Sequence, residues 1–273
     1  MTAAIPEPTR SSDRRGESVR RLWESRDLIL SLVRRDLKIK YQSSLLGIAW
    51  TLLNPLLTAA VLILVFSHVV TVKVDDYWAF LVSGFFAWNF VQQSLYHATA
   101  ILSNYGSLNR AVYFPREVLI VSATLMRLAE FVVEIAIVIV LVAVFHHGAL
   151  PPQLLLLPWV VAILFLLTIG LMLPLAILSV FFHDMQQALP VILMTMFYLS
   201  PVFYPIEMIP EVMRPIYYLN PFVSVVQLFH LIIYSGAWPT PTLLGLSTLA
   251  AIVICAGGYA IFNRYKDVCV EIA

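Results

Sequence analysis

The chain has 273 residues, 60% hydrophobic and 12% charged, with a formal net charge of +1 and a mean hydropathy of +0.87. A soluble domain carries about 25% charged residues, so this chain lacks the polar surface to cover itself in water. That excludes a soluble enzyme, and the basic residues, clustered next to apolar runs, do not suggest nucleic acid.

Residues 1–17 are rich in Pro, Ser and charge and read as a disordered cytoplasmic tail. The first long apolar run begins near Leu45, too late for a cleavable signal peptide. Residues 18–46 read as an amphipathic interfacial helix. Leu22, Ile29, Val33, Leu37, Tyr41 and Leu45 fall on one stripe, and Arg26, Arg34, Arg35 and Lys38 lie mostly off it. Such a helix can lie apolar face down with its cations at lipid phosphates. Topogenic charge alone, or a docking surface for a cytoplasmic partner or an anionic lipid-linked substrate, explains the pattern equally well.

Residues 47–273 read as a single transmembrane domain. A helix needs roughly 20 apolar residues to span a bilayer, and candidates run at about 48–71, 77–101, 118–146, 154–181, 187–205 and 242–262. Ten of the seventeen Lys and Arg precede Gly47. Arg110, Arg116, Arg264 and Lys266 fall on the same side, and Lys73 and Arg214 fall opposite. The positive-inside rule then puts both termini in the cytoplasm and requires an even number of spans. The 206–240 stretch alternates apolar pieces with Pro210, Pro215 and Pro221. Short re-entrant helices fit it, provided protein buries their ends; one further full span, with the C-terminus outside, is the alternative. The expectation is an all-α integral membrane protein with six transmembrane helices, multi-pass in the cytoplasmic membrane.

Several polar patterns sit within these spans. Trp88, Asn89, Gln92, Tyr96 and Thr99 recur at helical spacing in the second. The fifth carries Thr195, Phe197, Tyr198, Phe203 and Tyr204. Amides in hydrocarbon need partners. Helix–helix hydrogen bonds would supply them, and so would a pathway whose aromatic faces and amides suit sugars. Phe85, Trp88, Asn89, Gln92, Tyr96, Phe197, Tyr198, Phe203 and Tyr204 form the candidate lining. Arg127, Glu130 and Glu134 lie at spacings of three and four in the third span. A charge at a helix centre costs about 2.5–3.5 kcal/mol on insertion scales, so the three should face protein. A structural clamp and an ion relay both account for them. The loop from Ser103 to Glu117 begins with turn formers, and Leu108–Tyr113 suits a short helix that meets a partner. Pro55 and Pro174 should kink their helices. No Gly-x-x-x-x-Gly-Lys-Ser/Thr, His-Glu-x-x-His or Gly-x-Ser-x-Gly motif occurs. Cys255 and Cys269 form no metal or disulfide framework.

Three blocks in order resemble the permeases of polysaccharide-export ABC transporters, the exporters of O-antigen, capsule and teichoic acid. The first is Arg35-Asp36-Leu37-Lys38 with Tyr41, Ser44, Leu46-Gly47, Trp50 and Asn54-Pro55-Leu56. The second is Tyr113-Phe114-Pro115-Arg116-Glu117. The third is Asp184, Ser200-Pro201-Val202, Tyr204-Pro205, Pro210 and Leu219-Asn220-Pro221. The likeness covers the chain from about residue 20, and its style resembles the galactan exporters of actinobacteria. His230 departs from it, standing where many such permeases carry arginine.

The resemblance implies a homodimer of permeases, each docked on a separate ATPase subunit that binds the ATP and Mg. It implies no catalytic site or cofactor in this chain, and a glycan carried on undecaprenyl pyrophosphate. Ser107, Leu108, Asn109, Arg110 and Tyr113 would receive the ATPase stroke, and the pieces after Pro205 would gate the outer mouth. Arg34, Arg35, Lys38 and Lys40 would meet the pyrophosphate, since their cations suit phosphate oxygens. A drug or small lipid in the same machine is one rival. An ion-coupled transporter using Glu130 and Glu134 is another, although it predicts an internal repeat that is not seen. A membrane glycosyltransferase would need a carboxylate cluster with metal, and no loop offers one.

Overall fold

A computed structural model describes residues 24–42, 49–69, 74–104, 116–148, 150–182 and 184–266. Helix α1 spans Arg26–Gln42 and α2 spans Ala49–Leu64, which continues as a π turn over Val65–Val69. Helix α3 spans Tyr77–Asn104, and α4 spans Glu117–Val142 with a π turn over Ala143–His147. A 3-10 turn over Pro152–Leu156 leads into α5, Leu157–Phe181. Then come α6 (Met185–Tyr198), α7 (Arg214–Tyr217), α8 (Pro221–Phe229) and α9 (Pro241–Tyr265). A further π turn over His230–Tyr234 prolongs α8. No strand occurs among the described residues.

Three continuous helices are long and apolar enough to cross a membrane. They are Glu117–Phe145, Pro152–Phe181 and Pro241–Tyr265, with mean hydropathies of 2.8, 2.8 and 1.9. Apolar stretches at Leu53–His68 and Pro221–Tyr234 are shorter. Helix α3 has the length, 28 residues, or about 42 Å at 1.5 Å per residue, but a more polar sequence. Its position accounts for that. Every residue from Ala79 to Trp88 is buried, and α2, α4, α5, α6 and α8 all pack on it. A helix enclosed by protein on every side has little lipid to match.

The fifth apolar run, expected to reach residue 205, is helical only to Tyr198. Pro201 has no N–H to donate and disfavours the α conformation at Ser200. The helix is 14 residues long, about 21 Å at 1.5 Å per residue against a hydrocarbon core of roughly 30 Å. The chain turns back at once, and the Tyr204 hydroxyl donates to the freed Tyr198 carbonyl at 2.8 Å. The region that follows is built of short pieces. Arg214 gathers the first of them, donating to the carbonyls of Ile209 (3.1 Å) and Glu207 (3.2 Å). Asn220 then caps α8 through Phe222 N–H (3.0 Å) and donates its amide to Ser200 Oγ (3.0 Å). That bond ties α8 to the end of α6.

Two close approaches set the packing. A Cβ on Gly84 of α3 would collide with the His230 ring, which lies 4.0 Å from the Phe80 ring. Helices α5 and α9 meet at Gly170 and Gly258, where a side chain on Gly258 would strike the Gly170 carbonyl. Small residues are the usual way to bring membrane helices this close.

Two of the outer helices are fastened to α4. On α1, Ile29 and Leu32 are buried against it, so part of the amphipathic stripe faces protein. Lys266, at the end of α9, places Nζ 2.6 Å from Glu117 Oε1, and Arg116 donates to the Lys266 carbonyl at 2.8 Å. The Glu117 carboxylate also sits in the first turn of α4, where the helix dipole favours it.

Gly258→Leu should abolish recovery of monodisperse protein from membranes. The adjacent Gly257→Leu should be tolerated, because open space surrounds that position. Size-exclusion profiles of the tagged variants in mild detergent check this pair. Glu117→Gln should lower the melting temperature, because a hydrogen bond between charged groups contributes roughly 1.5–3 kcal/mol. Lys266→Met should lower it similarly, and the double variant should fall by less than the sum of the two.

Candidate functional site

A cavity of about 540 Å³ opens between α2, α3, α4 and α6, with the end of α1 at its rim. Each helix contributes a different chemistry. Helix α2 supplies Asn54 and Thr58, one turn apart, beside Trp50 and Leu62. Helix α3 supplies Phe85, Asn89, Gln92 and Gln93. Helix α4 adds Arg127, Glu130, Phe131 and Glu134, and α6 adds Met194, Phe197 and Tyr198. Amides and aromatic faces therefore line the middle of the space, with ionisable groups toward α1.

The charges form a connected set. Lys40 of α1 places Nζ 2.6 Å from Glu130 Oε1, and Arg127 Nη1 lies 2.9 Å from Oε2 of the same carboxylate. Glu130 is 7% exposed at its side chain and Arg127 16%, so water does little of the solvation. The Arg127–Glu130 contact is the same-helix pair expected from the spacing of three. The contact with Lys40, ninety residues away in sequence, was not. Burial pulls the Lys40 pKa below the ordinary lysine value, the hydrogen bond to Glu130 opposes it, and the charge of Arg127 adds to the lowering. Glu134, one turn further along α4, has the Asn89 amide as its neighbour. Among the described residues, no group of three or more His, Cys, Asp and Glu could hold a metal ion.

The expected lining is only partly brought together. Phe85, Asn89, Gln92, Phe197 and Tyr198 face the cavity. Trp88 is 1% exposed. It stands behind Phe197, ring centroids 5.9 Å apart, with its other side on Phe222 at 5.5 Å. Tyr96 accepts a hydrogen bond from Gln92 at 3.3 Å and does not reach the wall. Phe203 and Tyr204 belong to an aromatic cluster outside the cavity lining, where Phe203 meets the tilted rings of Phe66 (4.8 Å) and Phe197 (5.3 Å) and Tyr204 edge to face (4.8 Å). The Tyr77 hydroxyl fixes this cluster by donating to the Phe203 carbonyl at 2.7 Å.

Of the four cations expected at a phosphate interface, Arg34 and Lys38 are exposed. Arg35 pairs with Asp36 at 2.8 Å, and Lys40 is engaged by Glu130. The coupling residues Ser107, Leu108, Asn109, Arg110 and Tyr113 lie outside the described residues. Thr58 and Gln93 are wall residues that the sequence patterns did not single out, and Asn54 stood out only within the first resemblance block. Their signal was available: polar groups at a spacing of four in α2, and an amide beside Gln92 in α3.

Comparisons with known proteins agree with this architecture. A family model described as ABC-2 type transporter matches residues 27–234. A Myxococcus xanthus protein named O-antigen export system permease protein RfbA is 31% identical over 253 residues, 91% of this chain and 96% of its own length. A Klebsiella pneumoniae protein of the same name is 28% identical, over 88% of this chain and 92% of its own. An Escherichia coli polysialic acid transport protein KpsM is 24% identical, over 87% and 93%. The family match covers α1 to the end of the π turn after α8 and so takes in every wall of the cavity; on that match the chain belongs to the ABC-2 type transporter family.

Proposed function

We propose that this chain is the permease subunit of an exporter that moves a lipid-linked cell-envelope polysaccharide across the cytoplasmic membrane. A separate ATPase subunit drives it, with two copies of each chain per transporter. The substrate is a glycan on undecaprenyl pyrophosphate, with galactan one repeat that the style of the sequence suggests. This chain has no catalytic role; ATP and Mg belong to the partner. Likeness along nearly the full length to proteins named for O-antigen export and polysialic acid transport supports the substrate class.

The observation that carries the reading is the cavity wall. Asn54, Asn89, Gln92 and Gln93 offer hydrogen bonds to hydroxyl edges, and Trp50, Phe85 and Phe197 offer faces to sugar C–H groups. A purely apolar drug or lipid would bury the Asn54 and Gln93 amides without a partner, at a cost. The ion-coupled alternative draws less support, because the Glu130 carboxylate is already engaged by two cations.

In this reading six spans put both termini in the cytoplasm, and the 206–240 region is re-entrant at the outer face. The aromatic cluster around Phe203 then stands at the outer end of the pathway. Exposed Arg34 and Lys38 are the cations best disposed to meet pyrophosphate. The loop that receives the ATPase stroke ends at Arg116, where the tie to Lys266 gives it a firm base.

Purification of the tagged chain from native membranes in mild detergent should recover a P-loop ATPase in equal amount. Its consistent absence across several detergents would remove the export reading. In proteoliposomes of the assembled transporter, Asn89→Leu with Gln92→Leu should slow glycan export by roughly tenfold or more, at about 1 kcal/mol per lost hydrogen bond. Basal ATP hydrolysis should remain. Unchanged flux would remove these two amides from the pathway.

A further inference from the structure

The Glu130 carboxylate joins two helices in a way that leaves one donor over. Its Oε1 accepts from Lys40 of α1 and its Oε2 from Arg127 Nη1. Arg127 Nε is buried and makes no hydrogen bond among the described residues. A buried guanidinium N–H without a partner is costly, and guanidinium meets carboxylate best as a two-point fork. The present arrangement therefore holds Arg127 short of its best pairing, with the carboxylate turned toward α1 by the Lys40 bond to its other oxygen.

We propose that Glu130 is an exchange point: its carboxylate passes from Lys40 to a forked contact with Arg127 when α1 leaves α4, so that the position of α1 and the charge on the cavity wall change together. In the docked arrangement Lys40 holds α1 on α4 beside Ile29 and Leu32. In the released arrangement the Arg127 guanidinium turns its Nε–Nη2 edge to both oxygens, and Lys40 leaves with α1. Neither arrangement strands a carboxylate in the membrane, which is what makes two discrete states accessible. The loss of Lys40 takes one positive charge from the wall beside Asn89, Gln92 and Gln93. Glu130 and Arg127 are positioning residues here, since neither needs to touch what passes through.

The inference deepens the export reading, because it supplies a route by which movement of a cytoplasm-side helix reaches the pathway, but its test needs neither substrate nor transport. In a Cys255→Ala, Cys269→Ala background, Leu28→Cys on α1 and Val132→Cys on α4, both exposed, accept spin labels. Distance distributions are then recorded for the purified transporter in nanodiscs, with the subunits that accompany it.

Docked and released distances should both be seen. Lys40→Gln should raise the released-to-docked ratio by roughly fivefold or more, as loss of a partly buried ion pair implies. Adding Arg127→Lys to Lys40→Gln should reverse that rise, because lysine has no fork to offer. A merely structural contact would move both variants in one direction. In a Glu130→Gln background, which removes the carboxylate from both arrangements, Arg127→Lys should leave the ratio unchanged, and if that background fails to fold the Lys40 and Arg127 variants carry the test alone. An unchanged ratio in Lys40→Gln, or no reversal by Arg127→Lys, overturns the exchange. Failure to recover an ATPase would instead sink the export reading and leave this measurement standing.

Discussion

The burial of α3 by protein on all sides is the constraint from which the rest follows. Lipid cannot satisfy an amide, so Asn89, Gln92 and Gln93 can sit in this helix only because neighbouring helices or an internal space surround them. Enclosure in turn demands close approach. Gly84 gives up its side chain so that α8 can bring His230 against Phe80. The same seating of α8 puts Phe222 behind Trp88, and Trp88 behind Phe197, which faces the cavity. The wall is thus backed by a second aromatic layer and cannot collapse inward without disturbing the core.

Helix α4 acts as the rail to which two outer elements are attached. Glu117 at its start holds Lys266 at the end of α9, and Glu130 further along holds Lys40 near the end of α1, both at 2.6 Å. The two ties differ in surroundings. Among the described residues Glu117 has a single cation, with a favourable helix dipole and the Arg116 bond to the same lysine residue, all of which support one arrangement. Glu130 has two cations, one on each oxygen, carried by different helices. The first tie suits a fixed base, the second a joint that can be remade.

What could be read from the sequence followed from periodicity and composition. Apolar runs located α2, α4, α5 and α9 to within a few residues, and prolines marked the broken region after α6. The early stop of α6 at Tyr198 was less legible, since Phe203 and Tyr204 continue the aromatic pattern past the helix end; Pro201 was the signal that mattered. Within α3, spacing put Trp88 and Asn89 on one broad face but could not rank them. A neighbouring helix decides that Trp88 is core and Asn89 wall. The second partner of Glu130 could not be read at all. Arg127 is local, at i+3 spacing, whereas Lys40 meets Glu130 only through the docking of α1, ninety positions away.

The intramembrane carboxylates look alike in sequence and differ in what they can do. A proton or ion relay needs carboxylates with oxygens open to the travelling species. Glu130 has both oxygens engaged, one by each of two cations, and those cations belong to different helices. Its geometry is that of a joint. Glu134 lies on the wall beside Asn89, without an ion pair among the described residues, and a lone carboxylate makes no chain. Ion coupling through this triad would therefore require Lys40 and Arg127 both to let go of Glu130, stranding charge in a poorly solvated space. Exchange of the carboxylate between them requires only one to let go. The easier motion is the one that moves α1, and α1 is the helix that carries exposed Arg34 and Lys38.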